Sequence, residues 1–573
     1  MSLASTLNQW VTEWAAHHCP DHSTGRWVQP CQNPQFGHFQ SNLPMVAAKT
    51  LRSNPRDLAT SLANYLSTQP QILSADPAGP GFVNIRFANA AIEHALSQLA
   101  LDPRLGLPQT APAQTIVVDF SSPNVAKSMH VGHIRSTILG DSIARLLRAL
   151  GHHVITDNHI GDWGTAFGKI ILAYKQAGCP PLDPHRAIEQ METWYQDIHR
   201  ACTENPSLLK QAKAELLKLQ QGDPVNTRIW ESFRTASQNE FDLIYQRLGV
   251  SFDHTLGESF YNPWLQPMVD ELIQRGIARE SNGAICLFFD EPPELRDEPM
   301  VIRKSDGAAL YATTDLATLR YRIDHFHADT IIYVTDGRQQ LHFKQLFAAA
   351  RQLGLNVRLE HAWFGTVLGP DKKPLKTRDG TPIKLRDLLD EAVNRAAALL
   401  RKLAATKKGP TLSPEAEQKI AEILGIGAVK YADQAQNRHL DYVFDWDKLL
   451  ALEGNTAPYL INAYVRCRSI LRKQGLPDNV PFAGEHPLDH DLARACLAFG
   501  DAVENAASEL RPHLLCAYLF ELASLFHRFF EACPVAKAPS PQLKHSRLLL
   551  CHLTASILQR GLDLLGIPTV EEM

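Results

Sequence analysis

The chain is short of several things that would have placed it quickly. Its ten cysteines are scattered, with no Cys-x-x-Cys pair, which argues against a structural zinc site or a redox couple and favours reduced, buried thiols. No apolar run is long enough to span a bilayer, and Met-Ser-Leu-Ala-Ser-Thr-Leu-Asn-Gln-Trp at the start lacks the basic-then-apolar order of a secretory signal. A cytoplasmic protein without a membrane association is therefore expected. There is no surplus of positive charge either: the net charge is -4, which excludes wholesale basic adhesion to nucleic acid but not a local basic face. The 45% hydrophobic content is ordinary for a globular protein, and 573 residues are too many for one core, so several domains are expected.

What the chain does have is the segment Asp-Phe-Ser-Ser-Pro-Asn-Val-Ala-Lys-Ser-Met-His-Val-Gly-His-Ile-Arg-Ser-Thr at 119–137. An apolar strand, 115–120, hands over there to a helix with apolar positions at Ile134, Ile138, Leu139, Ile143, Leu146, Leu147 and Leu150, ending before Gly151. His130 and His133 thus fall at a helix N-terminus, where backbone N–H groups and the helix dipole favour phosphate and imidazoles can add donors. Gly132 removes a side chain where a base could lie. A capped helix with two surface histidines is the plainer reading of an isolated His-x-Gly-His, and only the flanking residues change it.

In its full length the segment resembles the HIGH signature of class I aminoacyl-tRNA synthetases, in the extended form of the arginyl-tRNA synthetase family. The resemblance implies an arginine–tRNA ligase that takes L-arginine, ATP with Mg²⁺, and tRNA(Arg), acting as a monomer. It implies that His130, Gly132 and His133 bind ATP. The two histidines stabilise the transition state in which the arginine carboxylate attacks the α-phosphate, and charge that develops only there is what raises rate.

The expected fold class is α/β: a Rossmann-like doubly wound catalytic domain with an N-terminal α+β domain and a C-terminal all-helical anticodon-binding domain. Residues 1–110 mix helical stretches (53–66 and 89–101) with a strand-like Gly81-Phe82-Val83-Asn84-Ile85-Arg86-Phe87, and close on a polar linker, 107–114. From 115 to 390 strand and helix patterns alternate, with strands expected at 115–120, 153–157, 330–334 and 360–367. Ligands of such sheets bind at the carboxyl ends of the strands, where the turns at 121–133 and 335–340 lie. Residues 180–300 read as a mostly helical insertion, too short for the editing domains of some relatives; a guanidinium's fork of donors discriminates without one. From 410 to 573 strands disappear and the pattern is helical, broken at Gly454, Gly475 and 477–487.

A guanidinium needs a planar carboxylate and further acceptors. Tyr311 and Asp315 lie four apart at the start of a helical run and so share a face, and Gln339 follows the strand at 330–334. By resemblance Asp315 pairs with the substrate guanidinium, Tyr311 and Gln339 complete its hydrogen bonding, and Asp119 and Asn124 hold the α-amino and carboxylate groups. A plain helix-terminal carboxylate is the alternative for Asp315. His159, Asp162, Trp163 and Gly164 resemble a segment lining the active site, with Ala166 where the family more often has Gln.

Class I enzymes carry a second signature, Lys-Met-Ser-Lys-Ser, whose second lysine stabilises the pyrophosphate side of ATP. Here Pro374-Leu375-Lys376-Thr377-Arg378 aligns with it, so threonine replaces that lysine. Lys127, three residues before His130, is placed to supply the missing cation, with Lys376, Thr377 and Arg378 as further ATP-binding candidates. For tRNA, segments at 34–42 and 78–82 resemble the N-terminal domain that meets the D-loop corner, making Phe36, Phe39, Gln40 and Asn42 candidates for contacts to unstacked bases. In the helical domain Arg438, Tyr459, Tyr464, Arg466, Arg468 and Arg472 interleave aromatic and guanidinium groups, which can stack bases and hold phosphates. Core aromatics and a solvated basic face are the competing readings.

Overall fold

The computed structural model describes residues 2–573 apart from 32, 34, 184–185, 306–309, 377–381, 407–411 and 477–480. The N-terminal part is an antiparallel sheet in the order β1 (Val28–Pro30), β2 (Phe39–Ser41), β4 (Phe82–Phe87), β3 (Ile72–Ala78). Three helices, Leu3–His18, Leu43–Leu51 and Pro55–Ser67, cover it. Inward positions of β4 supply Val83, Ile85 and Phe87 to the core beside Leu7, Val11 and Trp14, the alternation expected of a sheet wet on one side.

The central sheet has the order β11 (Arg358–His361), β10 (Thr330–Val334), β5 (Thr115–Phe120), β6 (His153–Asp157), and every pairing is parallel. β10 is buried along its whole length and β5 nearly so, because helices cover both faces and a strand so enclosed must be apolar throughout. β5, β6 and β10 occupy the expected residues. The run at 360–367 does not form one strand: pairing with β10 stops at His361, and β12 (Val367–Leu368) leaves to pair in parallel with β13 (Tyr442–Val443). Strand pairing therefore continues past 410, contrary to expectation, and ties the catalytic sheet to the helical part.

The chain leaves β5 toward β6 on one side and β10 toward β11 on the other, so the two connections diverge at the carboxyl ends of β5 and β10. That is the topological switch point, where an open α/β sheet forms its ligand crevice. The helix after β5, Val131–Ala149, lies so close to its strand that a Cβ on Gly140 would run into the Phe120 ring. Among the described residues, 180–300 contains four α-helices from Ala187–Glu204 to Asn262–Gln274 and is mostly helical as expected; it ends in an antiparallel sheet of β7 (Ala278–Ser281), β8 (Ala284–Leu287) and β9 (Met300–Arg303) that was not expected.

Long helices then follow, from Leu385–Ala405 to Pro541–Leu564. Several start on the same device, a Ser or Thr N-cap with Pro at the first or second helical position: Ser413, Thr456 and Ser540 each accept a backbone N–H, from Ala416, Tyr459 and Leu543. One apolar cluster runs from Leu7 through Phe120 to Leu558, and Lys430, buried, donates to the carbonyls of Leu248 (2.6 Å) and Gly566 (2.7 Å). All ten cysteines are free, and among the described residues no helix is long and apolar enough to cross a membrane.

Candidate active site

The turn after β5 is held in an unfavourable shape. Ser121, Ser122 and Ala126 have φ of 74°, 48° and 62°, left-handed values that non-glycine residues adopt only when their surroundings impose them. Those surroundings are visible. Ser121 N–H donates to Ser136 Oγ at 2.8 Å, and its hydroxyl meets Thr137 Oγ1 and the Tyr245 hydroxyl, both at 2.8 Å. Ser122 N–H donates to Asn158 Oδ1 (3.0 Å), Ala126 N–H to Ser237 Oγ (2.9 Å) and Ser128 N–H to Glu192 Oε1 (2.7 Å). The Ser136-Thr137 pair that ends the signature is thus a brace for the turn that begins it.

His130 is the N-cap of Val131–Ala149, its Nδ1 accepting from Gly132 N–H at 3.0 Å, while His130 N–H donates to His133 Nδ1 at 3.1 Å. With both Nδ1 atoms accepting, each neutral ring carries its proton on Nε2 and presents an N–H donor outward. The rings lie 4.0 Å apart between centroids. Burial, then the nearby Lys127 charge, lowers the pKa of His130; burial, then His130, lowers that of His133 to about 3. A Cβ on Gly132 would stand 2.8 Å from His130 Cε1, so glycine there lets the cap form. Lys127 is exposed, its ammonium 5.3 Å from the Tyr195 ring centre.

Across the crevice, Arg322 is fully buried and its Nη2 reaches Asp119 Oδ2 (2.7 Å) and Asp157 Oδ2 (2.8 Å). It joins the ends of β5 and β6 to the helix Tyr311–Phe326 that carries Tyr311 and Asp315. The other Asp119 oxygen accepts from Ser122 Oγ at 3.2 Å. Asn124 is bridged to Gly161, where any Cβ would strike its Oδ1. Tyr311 is 69% exposed at the helix start, and Gln339 is exposed on the neighbouring turn Gly337–Gln339.

Two neighbours of Asp315 were invisible in the sequence. His342 Nε2 lies 2.6 Å from Asp315 Oδ2; burial works to lower the histidine's pKa, but the hydrogen bond and charge of Asp315 prevail and raise it. Glu258 is pushed up to about 8 by burial first, then by Asp162 and Asp315. Burial likewise raises Asp162, although it accepts from Ser259 N–H (2.8 Å) and Ser259 Oγ (2.7 Å). Asp162 and Asp315 both act on Glu258, so the three carboxyls form one cluster in which burial and mutual repulsion hold a proton on Glu258, and a cation entering among them would favour its ionisation.

The remaining candidates are distributed as follows. Lys376 is exposed, while Thr377 and Arg378 lie outside the described residues. His159 Nδ1 lies 3.0 Å from Leu256 O, Trp163 meets Trp230 edge-on at 5.8 Å, and Ala166 is in the first turn of Thr165–Gln176. Phe36 is 63% exposed and Asn42 half-buried, but Phe39 packs edge-on against Phe87 in the core and Gln40 donates to Asn84 Oδ1 at 2.8 Å. Tyr464 is buried with its hydroxyl on Glu571 (2.8 Å). Arg438 is buried too, donating to Leu510 O (3.0 Å) and Trp363 O (2.6 Å). Tyr464 and Arg438, buried and hydrogen-bonded within the protein, are therefore corrected from RNA-facing candidates to packing residues, while Phe39 packs on Phe87 but stays partly exposed. Tyr459 bonds Ser524 Oγ (3.2 Å), Arg466 meets His527 (3.1 Å), and Arg468 and Arg472 both reach Glu571 (3.2 Å) while remaining partly exposed.

Comparison with known proteins agrees with this geometry. A family model described as tRNA synthetases class I (R), catalytic domain, matches residues 95–446. An arginyl tRNA synthetase N terminal domain matches 3–87 and a DALR anticodon binding domain 460–573. The chain belongs to the arginyl-tRNA synthetase family. Relatives in this family include an arginine–tRNA ligase of Synechococcus elongatus, 44% identical with 98% of this chain and 96% of that one covered. Another, from Hahella chejuensis, is 42% identical with both chains fully covered. Among solved structures, the Thermus thermophilus arginyl-tRNA synthetase superposes with a TM-score of 0.85 at 25% identity, covering 100% of both chains. That of Plasmodium falciparum gives 0.84 at 27%, covering 100% of this chain and 99% of that one.

Proposed function

We propose that the chain is an arginine–tRNA ligase that forms arginyl-adenylate from L-arginine and MgATP, then transfers arginine to the terminal adenosine of tRNA(Arg). The observation that carries this reading is what the sheet brings to the ends of β5 and β6: the helix that starts at His130, and the helix of Asp315, tied there by Arg322 to Asp119 and Asp157. The first helix offers neutral imidazoles at its N-terminus, and the second offers Asp315 beside Glu258 and Asp162, a carboxyl cluster suited to a cation.

In this reading the Asp315 carboxylate takes the guanidinium, helped by Tyr311, Gln339 and Glu258. Asp119, held by Arg322, receives the α-ammonium, and Asn124 orients the carboxylate. The carboxylate attacks the α-phosphorus, and the bond to the bridging oxygen breaks with its electron pair on pyrophosphate. His130 and His133 donate Nε2–H bonds to the phosphate oxygens as charge builds, a stabilisation that a neutral imidazole provides without giving up its proton. Lys127 offsets charge on the departing pyrophosphate, taking the place of the lysine replaced at Thr377. Mg²⁺ arrives with ATP as part of that substrate. The N-terminal and helical domains hold the tRNA, Phe36 and the Arg466–Arg472 face being the available surfaces, and the enzyme works as a cytoplasmic monomer.

The test is aminoacylation of purified tRNA with arginine, lysine, citrulline and glutamine in parallel. Arginine alone should charge, with pyrophosphate exchange weak until tRNA is added, and Asp315→Ala should abolish arginine use while ATP binding persists. Charging with another amino acid, or none, would refute the assignment; retained arginylation in Asp315→Ala would refute the pocket.

A further inference from the structure

The residue that faces His130 across the crevice floor is Lys384. The two are paired in an antiparallel bridge, flanked by Val131 N–H to Ile383 O (3.0 Å) and Leu385 N–H to Met129 O (2.9 Å). Lys384 is itself the N-cap of the helix Leu385–Ala405, so its backbone stays beside the signature whichever way its side chain turns. Its ammonium is turned onto the insertion helix Ala187–Glu204, 3.5 Å from Glu189 and 3.8 Å from Glu192. Glu189 is shared with Arg186 at 3.3 Å, and Glu192 also accepts from Ser128 N–H at 2.7 Å. The same helix carries Tyr195, on which Lys127 rests.

Resting on the reading above, we propose that Lys384 is a second cation for the ATP phosphates, held on Glu189 and Glu192 until nucleotide arrives. Its ion pairs are long and its side chain is 39% exposed, and pairs of that kind hold a side chain only weakly. A triphosphate against His130 offers far more negative charge within the swing of a four-carbon stem. No bond changes at Lys384: it neutralises pyrophosphate oxygens while the α-phosphorus–oxygen bond breaks. The reaction gains from this charge because Thr377 stands where the second signature has a lysine, so that role falls to Lys127 and to other cations near the phosphates.

The experiment is tRNA-dependent pyrophosphate exchange, varying ATP at saturating arginine, with melting temperature recorded for each protein. Lys384→Ala should raise KM for ATP about tenfold, the loss of one charged hydrogen bond, with KM for arginine and melting temperature unchanged, and Lys384→Arg should recover most of it. The Glu189→Gln/Glu192→Gln variant keeps the lysine and the acceptor for Ser128, and should lower KM for ATP. Lys384→Ala with unaltered ATP kinetics overturns the proposal. Where Lys384→Ala loses melting temperature, the double variant decides, and an unchanged or raised KM for ATP there overturns it too. A wild-type chain that charges no tRNA with arginine removes the proposed function and this inference together, a result distinct from an active wild type with an ATP-indifferent Lys384→Ala.

Discussion

Glu258 meets three acidic or phenolic neighbours, Asp162, Asp315 and Tyr311, with His342 held on the far oxygen of Asp315. Its pKa of about 8 against an ordinary 4.5 means that the folded chain keeps a proton that the unfolded chain has lost between those values. Stability must therefore fall as pH rises across that window, by the linkage between proton uptake and folding. A bound guanidinium favours the anion, so arginine affinity should rise as pH climbs from 6 toward 9. Calorimetric titration of arginine over that range checks this, and Glu258→Gln should flatten both profiles; an unchanged slope would show that another group titrates. At this scale the sequence was readable for position where residues sit in a spaced motif, as with His130 and His133 at the start of their helix. Glu258 and His342 were not readable, because one lies in the aperiodic stretch after Leu248 and the other is joined to Asp315 only by the folding of separate helices.

The helix Val131–Ala149 is the element on which both chemistry and architecture depend. Arg135, 1% exposed, pairs with Asp433 at 3.1 Å and donates to the carbonyls of Gly365 (2.6 Å) and Leu440 (3.1 Å). One signature residue thus anchors the helix Pro414–Gln434 and the chain just before β12 and just before β13. Arg135→Met should cost about 3–5 kcal/mol, because it leaves the Asp433 carboxylate buried without its cation, and urea unfolding monitored by tryptophan fluorescence measures it. A loss below about 1 kcal/mol would mean that water reaches Asp433. The strands β5, β6 and β10 were legible residue by residue because enclosure on both faces demands continuous apolar side chains. The stretch 360–367 misled because it has strand-like composition at a sheet edge, and composition does not say where a chain changes partners.

Across the whole molecule, the N-terminal and C-terminal parts touch directly. Ser2 Oγ donates to Asp501 at 2.6 Å, Arg26 pairs with Glu504 at 2.8 Å, and His490 lies 3.2 Å from Glu93. With one apolar cluster crossing all three matched regions, unfolding should be a single transition, superimposable by far-ultraviolet circular dichroism and by fluorescence. Separate midpoints would mean that the regions are energetically independent. The fold class was legible from the alternation of strands and helices together with the family resemblance, but the RNA faces were not. On the helix Ala457–Gln474, aromatic and basic residues recur at helical spacing whether their partner is a nucleotide or, as for Tyr464, Arg468 and Arg472, the carboxylate of Glu571 near the chain end.

Gly140 would touch neither substrate in the proposed reaction, yet under that proposal it would govern where they bind. It is seven residues beyond His133, roughly 10 Å along the helix axis, and its bare backbone lets that helix lie against Phe120, one residue after Asp119. The helix acts as a lever with its fulcrum at this contact. Any side chain inserted at 140 would pry helix from strand and shift the imidazoles relative to the carboxylate at the strand end, so the spacing between the nucleotide and amino-acid halves of the site is gauged by an atom that is missing from the far side of the wall.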